Sequence, residues 1–268
     1  MQSLRRAVIT LLAVTLLGAG MARGASTTDY TDQWWNAGES GWGVSVFQQW
    51  DTIFACFFVY GADGKPTWFV AVATPQAGGA AGHDLFTGKL YVTTGPYFGG
   101  PFNSAPVVER EAGTFTFDAS AVNAATIGYV VDGTPVQKNV TRQTWGNDDL
   151  SGSYYGGQSG IQTLCGEDDG PYEESDFIDI VHDAGNSITM KWTDRQNRIL
   201  TIIGVYSQQG HLGQVAVTGG SASQAPGITF TGTLFEIERS VSGITGRGHL
   251  VFVGGPCTWD GRWGGVRR

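Results

Sequence analysis

The run Ser187-Ile188-Thr189-Met190-Lys191-Trp192-Thr193, entered through Gly185-Asn186, decides the fold. Ile188, Met190 and Trp192 fall on one face of an extended chain, and Ser187, Thr189, Lys191 and Thr193 fall on the other. That period of two is the pattern of a half-buried strand, and Gly-Asn before it is turn chemistry. The pattern recurs outward in both directions. Thr114-Phe115-Thr116-Phe117-Asp118 repeats it, and Phe86, Gly88, Leu90 and Val92 share a face opposite Thr87, Lys89 and Tyr91. Asp63-Gly64, Asp132-Gly133 and Gln209-Gly210 punctuate the runs, and Asp-Gly suits a hairpin turn whose central residues need positive φ. Leu234 and Phe235 are adjacent apolar residues where the alternation changes phase, as a β-bulge at a barrel corner would require. Beyond the N-terminal segment no helical pattern exceeds about two turns. The chain therefore reads as all-β, built of sequential hairpins.

A change of register falls at Trp145-Gly146-Asn147-Asp148-Asp149, with about seven strand-like stretches before it and about eight after. The expected organisation is two small antiparallel meander β-barrels, or barrel-like sandwiches, in tandem over residues 29–145 and 149–268. Both halves open on a similar plan, Gln33-Trp34-Trp35-Asn36 in one and Gly152-Ser153-Tyr154-Tyr155 in the other. Composition agrees. Of 268 residues 41 are Gly, which disfavours helical bundles, while 9 Trp, 9 Tyr and 14 Phe supply apolar area that a disordered chain lacks. A formal charge of −8 disfavours a nucleic-acid partner, which needs clustered Lys and Arg.

Residues 1–24 are predicted to be a signal peptide. Arg5-Arg6 precede an apolar run from Ala7 to Leu17, and Ala22-Arg23-Gly24 offers small residues at a cleavage site. The run is too short to span a bilayer, and the mature chain holds no other candidate span. The protein is expected to be periplasmic or secreted. Its cleavage removes three Arg and no acid, taking the formal charge from −8 to −11. An oxidising compartment permits disulfides. If the second half closes as a meander barrel, its first and last strands become neighbours. Cys165 follows the first and Cys257 begins the last, so these two are expected to pair and staple the seam. Cys56, in the apolar run Ile53-Phe54-Ala55-Cys56-Phe57-Phe58, is expected to be a buried free thiol.

The segment Trp34-Trp35-Asn36-Ala37-Gly38-Glu39-Ser40-Gly41-Trp42-Gly43-Val44 is followed by Asp51-Thr52-Ile53-Phe54-Ala55 and Gly64-Lys65-Pro66-Thr67-Trp68. Together with Gly88-Lys89-Leu90-Tyr91 and Thr93-Thr94-Gly95-Pro96, these stretches resemble an exported β-domain of proteobacteria that occurs alone, in tandem or appended to secreted hydrolases. The resemblance covers roughly residues 30–142. Residues 150–268 resemble a companion module more weakly. It implies a β-fold and export, and it carries over no catalytic residue.

Trp34, Trp35, Asn36, Glu39 and Trp42 are the candidate ligand platform, since indole faces stack on apolar ligand surfaces and neighbouring polar groups orient them. The alternative is that these indoles seal a barrel end. Trp50, beside Asp51, is expected at a loop tip and is a further binding candidate. Trp68, Val70 and Val72 share a face that is expected to be core. Glu167-Asp168-Asp169-Gly170, continuing to Glu173-Glu174 and Asp176, reads as an acidic loop. Glu167, Asp168 and Asp169 are its weak Ca²⁺ candidates, although the spacing is not that of an EF-hand. Crowding there is expected to raise one carboxylate pKa, without sequence showing which.

No HExxH, CxxC, Gly-x-Ser-x-Gly, Walker or Rossmann pattern occurs, so no cofactor and no catalytic residue is expected. The leading reading is an exported, non-catalytic binding or accessory protein that engages a glycan, peptide or small apolar ligand through exposed aromatics. A structural or assembly β-domain with no ligand is the alternative, and a carboxylate-dependent hydrolase is a second.

Overall fold

The computed structural model describes residues 28–220 and 228–268; the expected signal peptide over residues 1–24 lies outside them. The chain is two closed eight-stranded antiparallel barrels in sequence. The first comprises β1 (Asp32–Trp35), β2 (Gly43–Gln49), β3 (Thr52–Tyr60), β4 (Pro66–Pro75), β5 (Asp84–Thr94), β6 (Val108–Ala121), β7 (Ala124–Val131) and β8 (Thr134–Arg142). The second comprises β9 (Gly152–Thr163), β10 (Gly170–His182), β11 (Ser187–Asp194), β12 (Ile199–Gln209), β13 (Leu212–Gly220), β14 (Thr229–Arg239), β15 (Gly243–Phe252) and β16 (Thr258–Arg267). Each strand pairs with its sequence neighbours, so both barrels are meanders. Full closure removes the exposed edges that an open sheet would present.

The seams differ. In the first barrel β1 meets β8 over only two pairs, Trp34↔Arg142 and Trp35↔Thr141. In the second, β9 and β16 pair from Thr163↔Thr258 to Tyr154↔Arg267. Cys165 and Cys257 form the disulfide at one end of that longer seam. The phase change at Leu234-Phe235 is a bulge between Phe235 and Glu238 in the β14–β15 ladder, where Glu236 adopts φ 50°.

The similar openings of the two halves have one structural meaning. Trp34 is fully buried and its Nε1 donates to the Tyr30 carbonyl at 3.0 Å. Tyr154 is likewise buried, and its hydroxyl donates to the Leu150 carbonyl at 3.0 Å. In each barrel an aromatic on the first strand points inward and fastens the entering chain four residues back. Around Trp34 the first barrel fills with Phe57, Phe86, Phe115 and Phe117, with Trp34 and Phe117 packed edge-on at 5.1 Å.

That aromatic filling explains a difference from the sequence reading of β4. Trp68 and Val72 face outward, and the inward positions belong to Ala71 and Ala73. The interior opposite is already occupied by phenylalanines, so small residues fit there and the bulky ones are displaced outside. Phe47, Phe54, Phe58, Trp68 and Val72 consequently form an exposed apolar stripe over β2–β4. Cys56 sits on this outer face, free and half-buried rather than in the core.

The barrels touch through a polar junction. Arg142, with its side chain fully buried, lies 4.9 Å over the Trp34 ring and donates to Asp32 Oδ2 at 2.8 Å. Asp32 Oδ2 also receives the His211 backbone N–H at 3.0 Å and lies 2.8 Å from His211 Nδ1. Burial alone would raise the Asp32 carboxyl, but hydrogen bonds from His211 and Arg142 outweigh it and hold the pKa below the ordinary value. Among the described residues no helix is long and apolar enough to cross a membrane.

The disulfide closes a separation of 92 residues. In the chain-entropy treatment such a loop is worth about 4–5 kcal/mol. The paired substitution Cys165→Ala, Cys257→Ala is expected to lower the urea stability of the second barrel by about that amount. The transition of the first barrel, followed separately, is expected to stay in place.

Candidate functional site

The aromatic segment at residues 34–42 does not present a set of open rings. Trp34 is core. Trp42 packs partly buried against it, with Nε1 donating to Glu39 Oε2 at 3.0 Å. Glu39 is itself paired with Lys138 at 2.8 Å, and Lys138 Nζ lies 5.9 Å over the Trp42 ring. The lysine holds the Glu39 carboxyl below the ordinary glutamate range. Asn36 turns its amide inward on the backbone, donating to the Asn139 carbonyl and accepting from Gly38 N–H. Trp35 is half-buried. Trp50 stands 86% exposed at the β2–β3 hairpin tip, in a left-handed conformation at φ 58°.

The acidic stretch is divided between two environments. Glu167 and Asp168 lie on a short 3-10 turn over Gly166–Asp168, and Asp169 Oδ1 accepts the Cys165 backbone N–H at 2.6 Å. Among the described residues the three do not gather into a metal-ligating group; Asp29, His211 and Glu238 do, with ligand atoms within 4.8 Å of one another. Glu173, Glu174 and Asp176 are not in a loop at all. They belong to β10, which begins at Gly170, and the alternation turns Tyr172, Glu174 and Asp176 toward the barrel interior.

There they meet a cavity of about 450 Å³ at the end of the second barrel that carries the disulfide. Its apolar wall includes Leu200, Leu250, Phe230 and Phe252, the two phenylalanine rings 5.9 Å apart edge to face. Trp192 from β11 and Trp259 from β16 complete it, each 2% exposed. The sheet makes room for the Trp259 indole by omitting side chains around it. A Cβ on Gly160 would lie 2.7 Å from its Nε1, and one on Gly261 would lie 2.4 Å from its Cζ2. The barrel floor is packed by Tyr154, Tyr206 and Ile180, so the cavity is a cup rather than a channel.

The cup is short of hydrogen-bond partners. Among the described residues four buried side-chain atoms lack any partner, and three of them belong to residues that line this cavity: Asp176 Oδ2, Trp192 Nε1 and Trp259 Nε1. Buried polar groups are satisfied in the great majority of cases, and each one left open costs about 1–3 kcal/mol. All three belong to residues of the cup wall, and each atom is itself sealed from the open space of the cavity.

The charges around them are already arranged. Asp176 faces Asp194 directly across the β10–β11 ladder and Gly156 across the β9–β10 ladder. Burial first, then the neighbouring Glu174 and Asp194 carboxylates, push the Asp176 pKa up to about 6, against a partial offset from the Gln158 amide. Asp194 moves the opposite way. Burial would raise it, but backbone N–H groups of Arg198 and Gln196 and the Arg198 guanidinium hold it below the ordinary range. Arg198 also reaches Glu174 at 3.1 Å, and Tyr172 donates to the same carboxylate. Burial and that carboxylate keep the Tyr172 phenol protonated far into the alkaline range.

A wider groove of about 770 Å³ runs over the outside of the wall, where Gly156, Gly157 and Gly264 leave the sheet bare. None of the unpartnered buried atoms borders it. The inner cup is therefore the stronger site. Comparison with protein-family models, with curated proteins and with solved structures finds no match for this chain.

Sequence reasoning reached Asp176 only as the end of an acidic loop and did not single out Trp192 or Trp259 as site residues. One signal was available: Tyr172, Glu174 and Asp176 share a phase with Ile178 and Ile180, which places polar side chains on the inward face.

The raised Asp176 pKa has a definite sign. Its ionised form is penalised in the fold, so the contribution of this one group to stability falls as pH rises from about 4 to about 7 and then levels off. Asp176→Asn removes that loss. Urea unfolding at pH 7.5 is expected to show a gain of about 1–2 kcal/mol over the parent protein, and the gain is expected to shrink as pH falls toward 4. Identical pH slopes for the two proteins would contradict this electrostatic reading.

Proposed function

We propose that the protein is an exported binding protein that holds a small molecule in the cup of its C-terminal barrel. The observation that carries the reading is one cup at the disulfide end of a closed barrel, walled by Leu200, Phe230, Phe252, Trp192 and Trp259 and bordered by the carboxylates of Glu174 and Asp176. A volume of about 450 Å³ suits a small molecule and is too small for a folded partner or a long glycan. Eight-stranded barrels are the size class whose interior holds packed side chains or one small ligand. The disulfide at the rim fits the oxidising compartment that the N-terminal segment implies.

Asp176 and Asp194 shift in opposite directions, an arrangement that acid–base catalysts use. Here Asp194 is committed to the turn between β11 and β12. Its Oδ1 accepts from Gln196 and Arg198 N–H at 2.8 Å each, and its Oδ2 accepts from the Arg198 guanidinium. Glu174 is likewise engaged, by Arg198 and by the Tyr172 hydroxyl, and binding is the better reading.

The test is a screen of single-ring aromatic compounds against the mature chain, read by the indole N–H resonances. Hits are expected to move Trp192 and Trp259 while leaving Trp34 unchanged. Leu200→Trp, which fills the cup, is expected to weaken them at least ten-fold. Hits that move Trp50, Trp68 or Trp145 instead would transfer the function to the outer aromatic surface. An absence of hits would favour a structural domain.

A further inference from the structure

We propose that the outer face of β2–β4 in the N-terminal barrel is the contact between two copies of this chain. The inference is independent of the cup in the C-terminal barrel.

Strand register sets the composition of this face. Phe47, Phe54 and Val72 lie side by side across β2, β3 and β4, and Phe58 lies beside Trp68 four residues further along β3. Between these two rows runs a row of smaller side chains, Ser45, Cys56 and Val70. Phe47, Phe54, Phe58, Tyr60, Trp68 and Val72 are each between 41% and 59% exposed. At roughly 200 Å² for a whole aromatic side chain, the five rings leave about 500 Å² in water. Val72, and Trp50 at the tip of the same β2–β3 hairpin, bring this to about 700 Å². The largest apolar patch of an ordinary monomer is about 300–600 Å², and a specific interface takes roughly 800 Å² from each partner. The face is therefore close to what a stable dimer buries.

Charge identifies the occupant. Residues 43–50, 52–60 and 66–75 contain no Asp, Glu, Lys or Arg. The charges that flank the face are paired among themselves: Lys65 with Asp63 at 3.4 Å, Lys89 with Glu111 at 2.7 Å, and Lys138 with Glu39 at 2.8 Å. The outer wall of the second barrel, by contrast, sets Asp179 opposite Lys191 among the exposed Val181, Ile203 and Val205. A chain of formal charge −8 repels its own copies over much of its surface, so an uncharged aromatic face is where two of them can meet. A basic partner would seek carboxylates, and an anionic lipid surface would need lysines and arginines that this face lacks. Aromatic side chains without charge, inside a polar rim, are the composition of an interface core.

Closure of the barrel dictates the mode of contact. With no free sheet edge, a second copy cannot add a strand and has to lie face to face. A twofold axis along the Ser45-Cys56-Val70 row achieves this with the same residues on both sides. It lays the Phe47-Phe54-Val72 row of one copy on the Phe58-Trp68 row of the other and brings the two middle rows together. Cys56, the one free cysteine among the described residues, then lies at the centre of the contact.

Sedimentation velocity on the mature chain tests the proposal. At about 50 µM the parent protein is expected to sediment as a dimer that dissociates on dilution. Phe58→Glu sets like charges against the face and is expected to give a monomer, with circular dichroism unchanged because the side chain points outward. Val205→Glu, on the outer wall of the second barrel, is expected to keep the dimer. Maleimide labelling of Cys56 in the parent is expected to be at least about five-fold slower in the concentrated protein than in the dilute one. A parent that stays monomeric at about 50 µM would overturn the proposal, and flotation of that monomer with phosphatidylcholine vesicles would assign the face to a lipid surface instead. A dimer that survives Phe58→Glu, or Cys56 labelling that ignores concentration, would place any contact elsewhere on the molecule and overturn it too.

Discussion

Closure of the C-terminal barrel along the β9–β16 seam is the constraint from which the candidate site follows. Once eight strands are joined in a ring, the interior has a fixed width, and each inward residue must either fill it or leave a space. At the floor the filling is complete, with Tyr154 tied to Leu150 and Tyr206 and Ile180 packed around it. Toward the disulfide end the inward positions change character, from Ile178 and Ile180 to Asp176, Glu174 and Tyr172. Two indoles enter the same layer, that of Trp259 accommodated by Gly160 and Gly248 on the strands beside it. Their rings pack, but their N–H groups do not find acceptors. A space and a set of unmet hydrogen bonds therefore arise together from one geometry.

The two barrels use the same topology for different ends. The N-terminal barrel spends its phenylalanines on its interior and pushes Phe54, Phe58 and Trp68 outside. Its first strand is anchored by Trp34 and by the buried Arg142–Asp32 pair, and that pair also reaches His211 of the second barrel. Burial would lower the His211 pKa, but its hydrogen bond and charge contact with Asp32 outweigh that and raise it. The junction is thus strongest where Asp32 is ionised and His211 protonated, and it weakens as pH falls through the lowered Asp32 value or rises through the raised His211 value.

Much of this architecture was legible in the residues. The alternation at 187–193, the Asp-Gly turns and the phase change at Leu234-Phe235 read directly as strands, hairpins and a bulge, because each is a local consequence of side-chain direction. The Cys165–Cys257 bridge followed from barrel closure alone. What local pattern could not give was the sense of each strand. On β4 the same alternation puts either Trp68 and Val72 or Ala71 and Ala73 inside, and only the aromatic filling contributed by β3, β5 and β6 decides between them. The candidate site was hidden for a related reason. Asp176, Trp192 and Trp259 come from three strands, the first and last of them 83 residues apart at these positions, and an unsatisfied atom is defined by what surrounds it rather than by its own sequence.

The most direct test of the central claim is hydrogen exchange at individual indole nitrogens. Trp34, Trp192, Trp259 and Trp263 are all buried. Trp34 and Trp263 donate to the Tyr30 and Arg247 carbonyls, at 3.0 and 3.2 Å, whereas Trp192 and Trp259 donate to nothing and border the cup. With the ligand-free protein, the Trp192 and Trp259 protons are expected to exchange at least ten-fold faster than the other two, because no acceptor holds them and a small movement of the cup wall brings them to water. Equal protection of all four would mean that Trp192 and Trp259 are held as firmly as the hydrogen-bonded indoles, and the cup wall described here would not yield to a ligand.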